Sequence, residues 1–311
     1  MSKQTPFFFM LFIYYFSMII PTPNQYGWDN ETSYIDFDVS MQTKKYPKAI
    51  RLTQTAVGIN GITLLGFSRD LYNKNNLSNI VPSKQPKIPR IIHHIWLGGN
   101  VPEVLLSYID SVKKLHPDWK CKLWTDKEAA NIKLDNQELY DKATNFGEKS
   151  DILRYEILYR YGGVYVDVDM EGLKQLDLLH HCYDFYIGLQ PLYHGYHGFV
   201  QVGTGIIGSI PGHPILKKVI QKLPEYFHRF KKTTAKTGPI LFTRIFFTEA
   251  DKHETIDIAF PTTYFYPINM YESMKENVNR KKCEQLGAFT IHWWGKTWSP
   301  KEFRKKEFQT I

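Results

Sequence analysis

The sequence predicts an α/β domain built on a mainly parallel sheet flanked by helices. Three observations carry that expectation. Short apolar runs ending in glycine or polar residues alternate with segments of helical spacing. Two early runs, 90–99 and 119–126, read as strands separated by one helix, the order of a parallel crossover. A third apolar strand follows a long helix that stops at a Gly-Gly pair.

The elements follow in order. "RIIHHIWLGG" (90–99) reads as a buried strand and a loop, with Trp96 near its carboxyl end. Residues 102–115 place Val104, Leu105, Tyr108, Ile109, Val112 and Leu115 at helical spacing. "WKCKLWTD" (119–126) alternates as a strand, with Asp126 near its end. Residues 148–161 read as a helix that puts Asp151, Arg154, Tyr155 and Leu158 on one face. After Gly162-Gly163, "VYVDVD" alternates: Val164, Val166 and Val168 to one side, Tyr165, Asp167 and Asp169 to the other. Sheets of this kind bind ligands beyond the carboxyl ends of their strands, where Trp96 and the aspartates fall.

Two carboxylates about 6.6 Å apart on one face of a strand can address one hard divalent cation, Mn2+ or Mg2+, and through it a diphosphate. Competing readings of the stretch fail. An EF-hand loop starting at Asp167 needs Glu at its twelfth position, and Leu178 stands there. A phosphatase-type D-x-D belongs on a first strand, and this one lies past the middle of the chain. A phosphoryl-transfer enzyme or nuclease using the two aspartates needs a phosphate-cradling glycine loop with lysine, or further carboxylates, and no such loop is present.

The chain has 311 residues, 43% hydrophobic and 23% charged, which excludes a disordered protein. The net charge of +8 is dispersed, with short clusters at 229–232, 280–282 and 301–306. No nucleic-acid module accompanies it, so no nucleic-acid partner is expected. Cys121, Cys182 and Cys283 have neither metal nor redox spacing. His194 and His197 are spaced as ligands, but a third partner is missing, and a solvated loop is the better reading. The aromatic-rich stretch 192–200 reads equally as packing or as an acceptor surface.

Residues 7–20, "FFFMLFIYYFSMII", form an uncharged run after Lys3. The run suits a signal peptide or a signal anchor over 1–22 that could reach the membrane. Residues 23–87 read as a stem or linker with some local structure, and 88–311 as the main domain. Sequons at Asn30 and Asn76 fit entry into the secretory pathway, as a type II membrane protein of an ER or Golgi lumen or as a secreted form.

Several stretches in order resemble glycosyltransferase family 32, the DXD sugar-binding enzymes that include yeast-type mannosyltransferases, and the related glucosylating domain of large clostridial toxins. They are "IPRIIHHIWLGG", "HPDWKCKLWTD", "SDILRYEILYRYGGVYVDVDMEG", "GIIGSIPGHP", "TGP" and "HWWGKTW", together spanning roughly residues 88–300. In the last, Thr297 stands where serine is usual. The resemblance implies a GT-A fold and a metal-dependent, retaining hexosyl transfer. The donor would be GDP-mannose or a UDP-hexose; the acceptor would be a glycan, glycolipid or protein. It implies that Trp96 stacks on the base, Asp151 and Arg154 meet ribose and sugar, and Tyr165 supports the nucleotide. Asp167 assists the metal and touches ribose or sugar, Asp169 binds the metal, His292 completes its shell, and Trp298 covers the diphosphate. An inactive carbohydrate-binding relative of the same fold is the competing expectation.

Overall fold

The computed structural model describes residues 34–51, 58–193, 199–275 and 277–295. The apolar run 7–20, the Asn30 sequon, His194, His197, Thr297 and Trp298 lie outside the described residues.

The first strand, β1 (Ile91–Ile95), pairs in parallel with β2 (Lys120–Trp124) and with β3 (Gly163–Val166). A short β4 (Met170–Gly172) leaves the sheet. The chain returns through β5 (Phe185–Leu189), β6 (Val202–Ser209) and β7 (Asp257–Phe260), giving the order β2-β1-β3-β6-β5-β7. Only β6 runs against the rest, antiparallel to β3 and β5. The sheet is therefore mixed and mainly parallel, the α/β architecture expected of a GT-A-like domain. The last strand, β8 (Thr290–His292), pairs antiparallel with β4, setting Met170 opposite His292.

The expected helices form where their spacing requires. Leu105, Ile109 and Val112 bury one stripe of the Glu103–Leu115 helix. The Phe146–Tyr161 helix starts on Asn145, whose side chain accepts the Glu148 N–H, and is buried without a break from Asp151 to Leu158. It ends at Gly162, with φ of 60°. A Cβ there would lie 2.7–2.9 Å from Pro211 and the Ser209 carbonyl, so only glycine turns this corner into β3. The long amphipathic Pro214–Arg229 helix, capped by His213, buries Ile215, Leu216, Val219 and Leu223 and packs against the Phe146–Tyr161 and Pro239–Glu249 helices.

Two expectations change here. The strand reading ran through Asp169, but β3 stops at Val166 and residues 167–170 form a turn closed by the Met170 N–H on the Asp167 carbonyl. Val168 accordingly leaves the valine face and packs with Trp96, Leu105 and Ile109 in a small separate cluster. The described part of 23–87 is more than a stem. Its helices Phe37–Met41 and Gly61–Asn75 send Phe37, Met41, Leu64, Leu65, Leu71 and Tyr72 into the main core. The Tyr72 and Tyr264 hydroxyls meet at 2.9 Å. Asn76 is buried, and its side chain bonds the Asn73 carbonyl and the Ser78 N–H, an arrangement that does not present it for glycosylation. All three cysteines are free thiols. Among the described residues, no helix is long and apolar enough to cross a membrane.

Candidate active site

A cleft of about 400 Å3 opens at the carboxyl ends of β1, β3 and β5. Trp96, Asp151, Arg154, Tyr165, Asp167, Asp169 and His292 all line it, so seven of the eight expected site residues come together.

Arg154 ties the back wall. Its Nη1 donates to Asp167 Oδ1 at 3.1 Å and to the Thr204 carbonyl at 2.6 Å, and Nη2 lies 3.3 Å from Asp151 Oδ1. The guanidinium stacks 4.3 Å over the Tyr165 ring. Tyr165 donates its hydroxyl to the same Asp167 oxygen at 2.6 Å. These contacts fix Asp167 Oδ1 from two sides and leave Oδ2 toward the cleft. Gly205 makes room for that oxygen, since a Cβ there would stand 3.0 Å from it. Asp151 accepts the Thr237 hydroxyl at 2.8 Å. Burial raises its carboxyl to about 6, against the pull of Arg154 and Thr237.

The opposite wall comes from the C-terminal stretch. The β4–β8 pairing carries His292 to Asp169, with Nε2 and Oδ1 at 3.1 Å. The Gly295 N–H donates to Asp169 Oδ2 at 2.7 Å, and the Trp293 N–H to the Asp169 carbonyl at 2.9 Å. Trp294 makes the turn between them with φ of 55°. Its ring packs 4.0 Å from His292 and is held by the Ile268 carbonyl. Burial works to raise Asp169, but the His292 charge and the bonds from His292 and Gly295 outweigh it, so its carboxyl is held low. Burial likewise opposes charge on His292, yet Asp169 raises it above its usual value.

Ligand atoms of Asp167, Asp169 and His292 lie within 4.8 Å of one another. Two carboxylates and one imidazole suit a divalent cation, and the His292 Nδ1 is buried without a partner among the described residues. Trp96 closes the other end of the cleft, its indole N–H on the Asn100 carbonyl, beside the half-exposed Phe146. Asp126 stays outside the cleft; its Oδ2 accepts the Gly98 N–H and braces the loop after β1. Sequence reasoning singled out Thr237 only within "TGP" and missed Thr204, Gln190, Gln201 and Trp294, which all border the cleft. "HWWG" held the one signal available for Trp294, a bulky residue directly before glycine at the end of a strand.

The fold and the cleft define a transferase site of the α/β kind. Residues 102–186 match the family model of the glycosyltransferase sugar-binding region containing a DXD motif. An uncharacterised glycosyltransferase of Acanthamoeba polyphaga mimivirus is 31% identical over 227 residues, 68% of this chain and 84% of its own length. Inositol phosphoceramide mannosyltransferase 3 of Schizosaccharomyces pombe is 30% identical over 57% of this chain and 48% of that enzyme. A mannosyl phosphorylinositol ceramide synthase of Saccharomyces cerevisiae is 31% identical over 57% of this chain and 46% of its own length. The chain thus spans about half the length of these yeast relatives. The PaToxG glycosyltransferase, a solved structure 19% identical, aligns over 61% of this chain and 77% of its own with a TM-score of 0.45. The chain belongs to the DXD-containing glycosyltransferase family and is a glycosyltransferase.

Proposed function

We propose that the protein transfers a hexose, mannose or similar, from GDP-mannose or a UDP-hexose to an acceptor carrying an inositol-phosphate lipid headgroup, with retention at the anomeric carbon. One observation supports the donor reading above the others: Asp167 and Asp169 meet His292 across the β4–β8 pair, in a cleft whose back wall is Arg154. The acceptor class follows the yeast relatives, which are named for the mannosylation of inositol phosphoceramide. A glycan or protein acceptor is the competing outcome.

Asp167, Asp169 and His292 would hold Mn2+ or Mg2+. Such a cation offsets the charge that collects on the departing nucleoside diphosphate. The chain's own residues do the rest. Arg154 pairs with Asp151 and Asp167 and so holds those carboxylates in place, beside its expected contact with ribose and sugar. Trp96 offers a ring to the base at the β1 end, and Tyr165 holds Asp167 from below. Trp298 is proposed to cover the diphosphate. The N-terminal apolar run is proposed as signal or anchor, placing the domain in the lumen of the secretory pathway.

The test is a donor screen with Mn2+ present or chelated, followed by transfer to phosphoinositol-headgroup lipids and determination of the product anomer. Cation-dependent turnover of one donor with a retained anomer supports the reading. Turnover untouched by chelation, or an inverted anomer, sinks the corresponding part.

A further inference from the structure

Along the ligand edge of the sheet, adjacent strands follow in the order β1, β3, β6, β5. Trp96 follows β1, Asp167 follows β3, Gln201 precedes β6 and Gln190 follows β5. With strands about 4.8 Å apart, the two glutamines stand one and two strands beyond Asp167, on the side away from Trp96. A nucleotide sugar with its base at Trp96 and its diphosphate at Asp167 therefore extends its sugar toward Gln201 and Gln190.

Both side chains are nine-tenths buried, at 8% exposure each, and both line the cleft. Their backbones are locked together, with the Gln190 N–H on the Gln201 carbonyl. Their amides pair as well, Gln201 Nε2 donating to Gln190 Oε1. That pairing consumes one donor and one acceptor. It leaves the Gln190 NH2 and the Gln201 carbonyl without partners among the described residues. Exchanging the assigned O and N positions swaps the residues but still presents one amide NH2 and one carbonyl. A hydroxyl group both donates and accepts, so neighbouring sugar hydroxyls match this outward pair. The pair carries no charge, so it offers a carboxylate or an ammonium no compensating charge.

We propose that Gln190 and Gln201 form a neutral amide clamp that reads hydroxyl groups of the transferred sugar and so sets donor specificity. The proposal rests on the donor reading above and selects neutral hexoses over uronic acids and amino sugars. A site built to pair a hydroxyl discriminates against ligands that leave its buried polar groups unpaired.

The experiment measures Mn2+-supported binding by calorimetry of GDP-mannose, UDP-glucose and UDP-glucuronic acid, each beside the matching nucleoside diphosphate. The full chain is compared with Gln190→Leu/Gln201→Leu. The clamp predicts that the double variant binds the nucleoside diphosphate within about twofold of the original while losing roughly 10- to 100-fold for the neutral nucleotide sugar. Equal losses for both ligands, or none for either, overturn it. Where the double variant fails to fold, Gln190→Asn withdraws one amide by a methylene and must show the same selective loss. Wild-type protein that binds nucleoside diphosphate but prefers UDP-glucuronic acid overturns the clamp and leaves the donor reading standing. Wild-type protein that binds no nucleotide at all sinks the donor reading, and the clamp with it.

Discussion

Replacing Asp151 with asparagine tests the electrostatics of the back wall. Asp151 is buried beside Arg154 and Thr237, and its carboxyl titrates at about 6 in the folded chain against 3.8 ordinarily. The direction is unusual for a carboxylate with a cationic neighbour and follows from burial. Because the folded value is the higher one, the folded state binds the proton more readily. The stability gained is full below the unfolded value and is lost as pH rises through the folded value. For a shift from 3.8 to about 6, the loss between pH 4.5 and pH 7.5 is about 2 kcal/mol, from 1.36 kcal/mol per unit. Asparagine cannot titrate, so Asp151→Asn adds a constant offset and removes this slope. Urea unfolding of both proteins from pH 4.5 to 7.5 reads the difference, since the other groups titrate alike in each. The variant should gain about 2 kcal/mol relative to wild type across that range, a relative midpoint shift of roughly 0.7 M at a slope near 3 kcal/mol per molar. Parallel stability curves would refute the buried, proton-binding Asp151.

Asp169→Asn keeps an acceptor for only one of His292 and the Gly295 N–H. It should leave the fold within about 3 kcal/mol of wild type while Mn2+ affinity, read from free Mn2+ by electron paramagnetic resonance, falls by at least roughly 100-fold. Sugar transfer by this variant at the wild-type rate is the result that rules out its metal role. Trp294 holds φ of 55°, so Trp294→Gly should be more stable than Trp294→Ala by about 1 kcal/mol, the reverse of the order in a helix; equal melting curves would contradict the left-handed turn. Lys236 pairs with the buried Glu148 at 2.9 Å behind the cleft wall. Lys236→Met should cost roughly 3 kcal/mol by stranding that carboxylate, and adding Glu148→Gln should recover most of it; additive losses in thermal melts would count against a coupled pair.

The early sheet was legible because its residues repeat at the period of their element and stop at residues that cannot continue it. The 91–95 and 120–124 strands, the helix between them and the Phe146–Tyr161 helix all fall in this class. What escaped depends on partners far off in sequence. Residues 34–75 lack sustained periodicity, yet Tyr72 is fully buried because it meets Tyr264, 192 residues away. Strands β4 and β8 have three residues each, too few to show a period, and they exist because each supplies the other's ladder. The reversal of β6 left no mark either: "VGTGIIGS" is buried throughout, and a strand buried on both faces reads the same in either direction.

The site shows the same division. Alternation named Tyr165, Asp167 and Asp169 as one face, and all three line the cleft, but the pleat is not what aims Asp169. The chain turns at 167–170, and the carboxylate is then fixed by His292 and Gly295 from a stretch more than 120 residues later. A strand pattern cannot encode that, because the restraint comes from a turn at Trp294 whose backbone is itself unfavourable for a side chain. The cost is met by ring packing on His292 and by the Ile268 carbonyl, so the C-terminal wall keeps its shape before any ligand arrives. The back wall is set in the same manner, with Arg154 spent on Asp151, Asp167 and the Thr204 carbonyl. The resemblance sets Arg154 against ribose and sugar, and its partners in the fold also make it a brace. Preorganisation of this kind keeps both carboxylates of the D-x-D stretch oriented at fixed spacing. Gln190 and Gln201, whose amide pair keeps hydrogen-bonding capacity open among the described residues, are the groups proposed to distinguish one sugar from another.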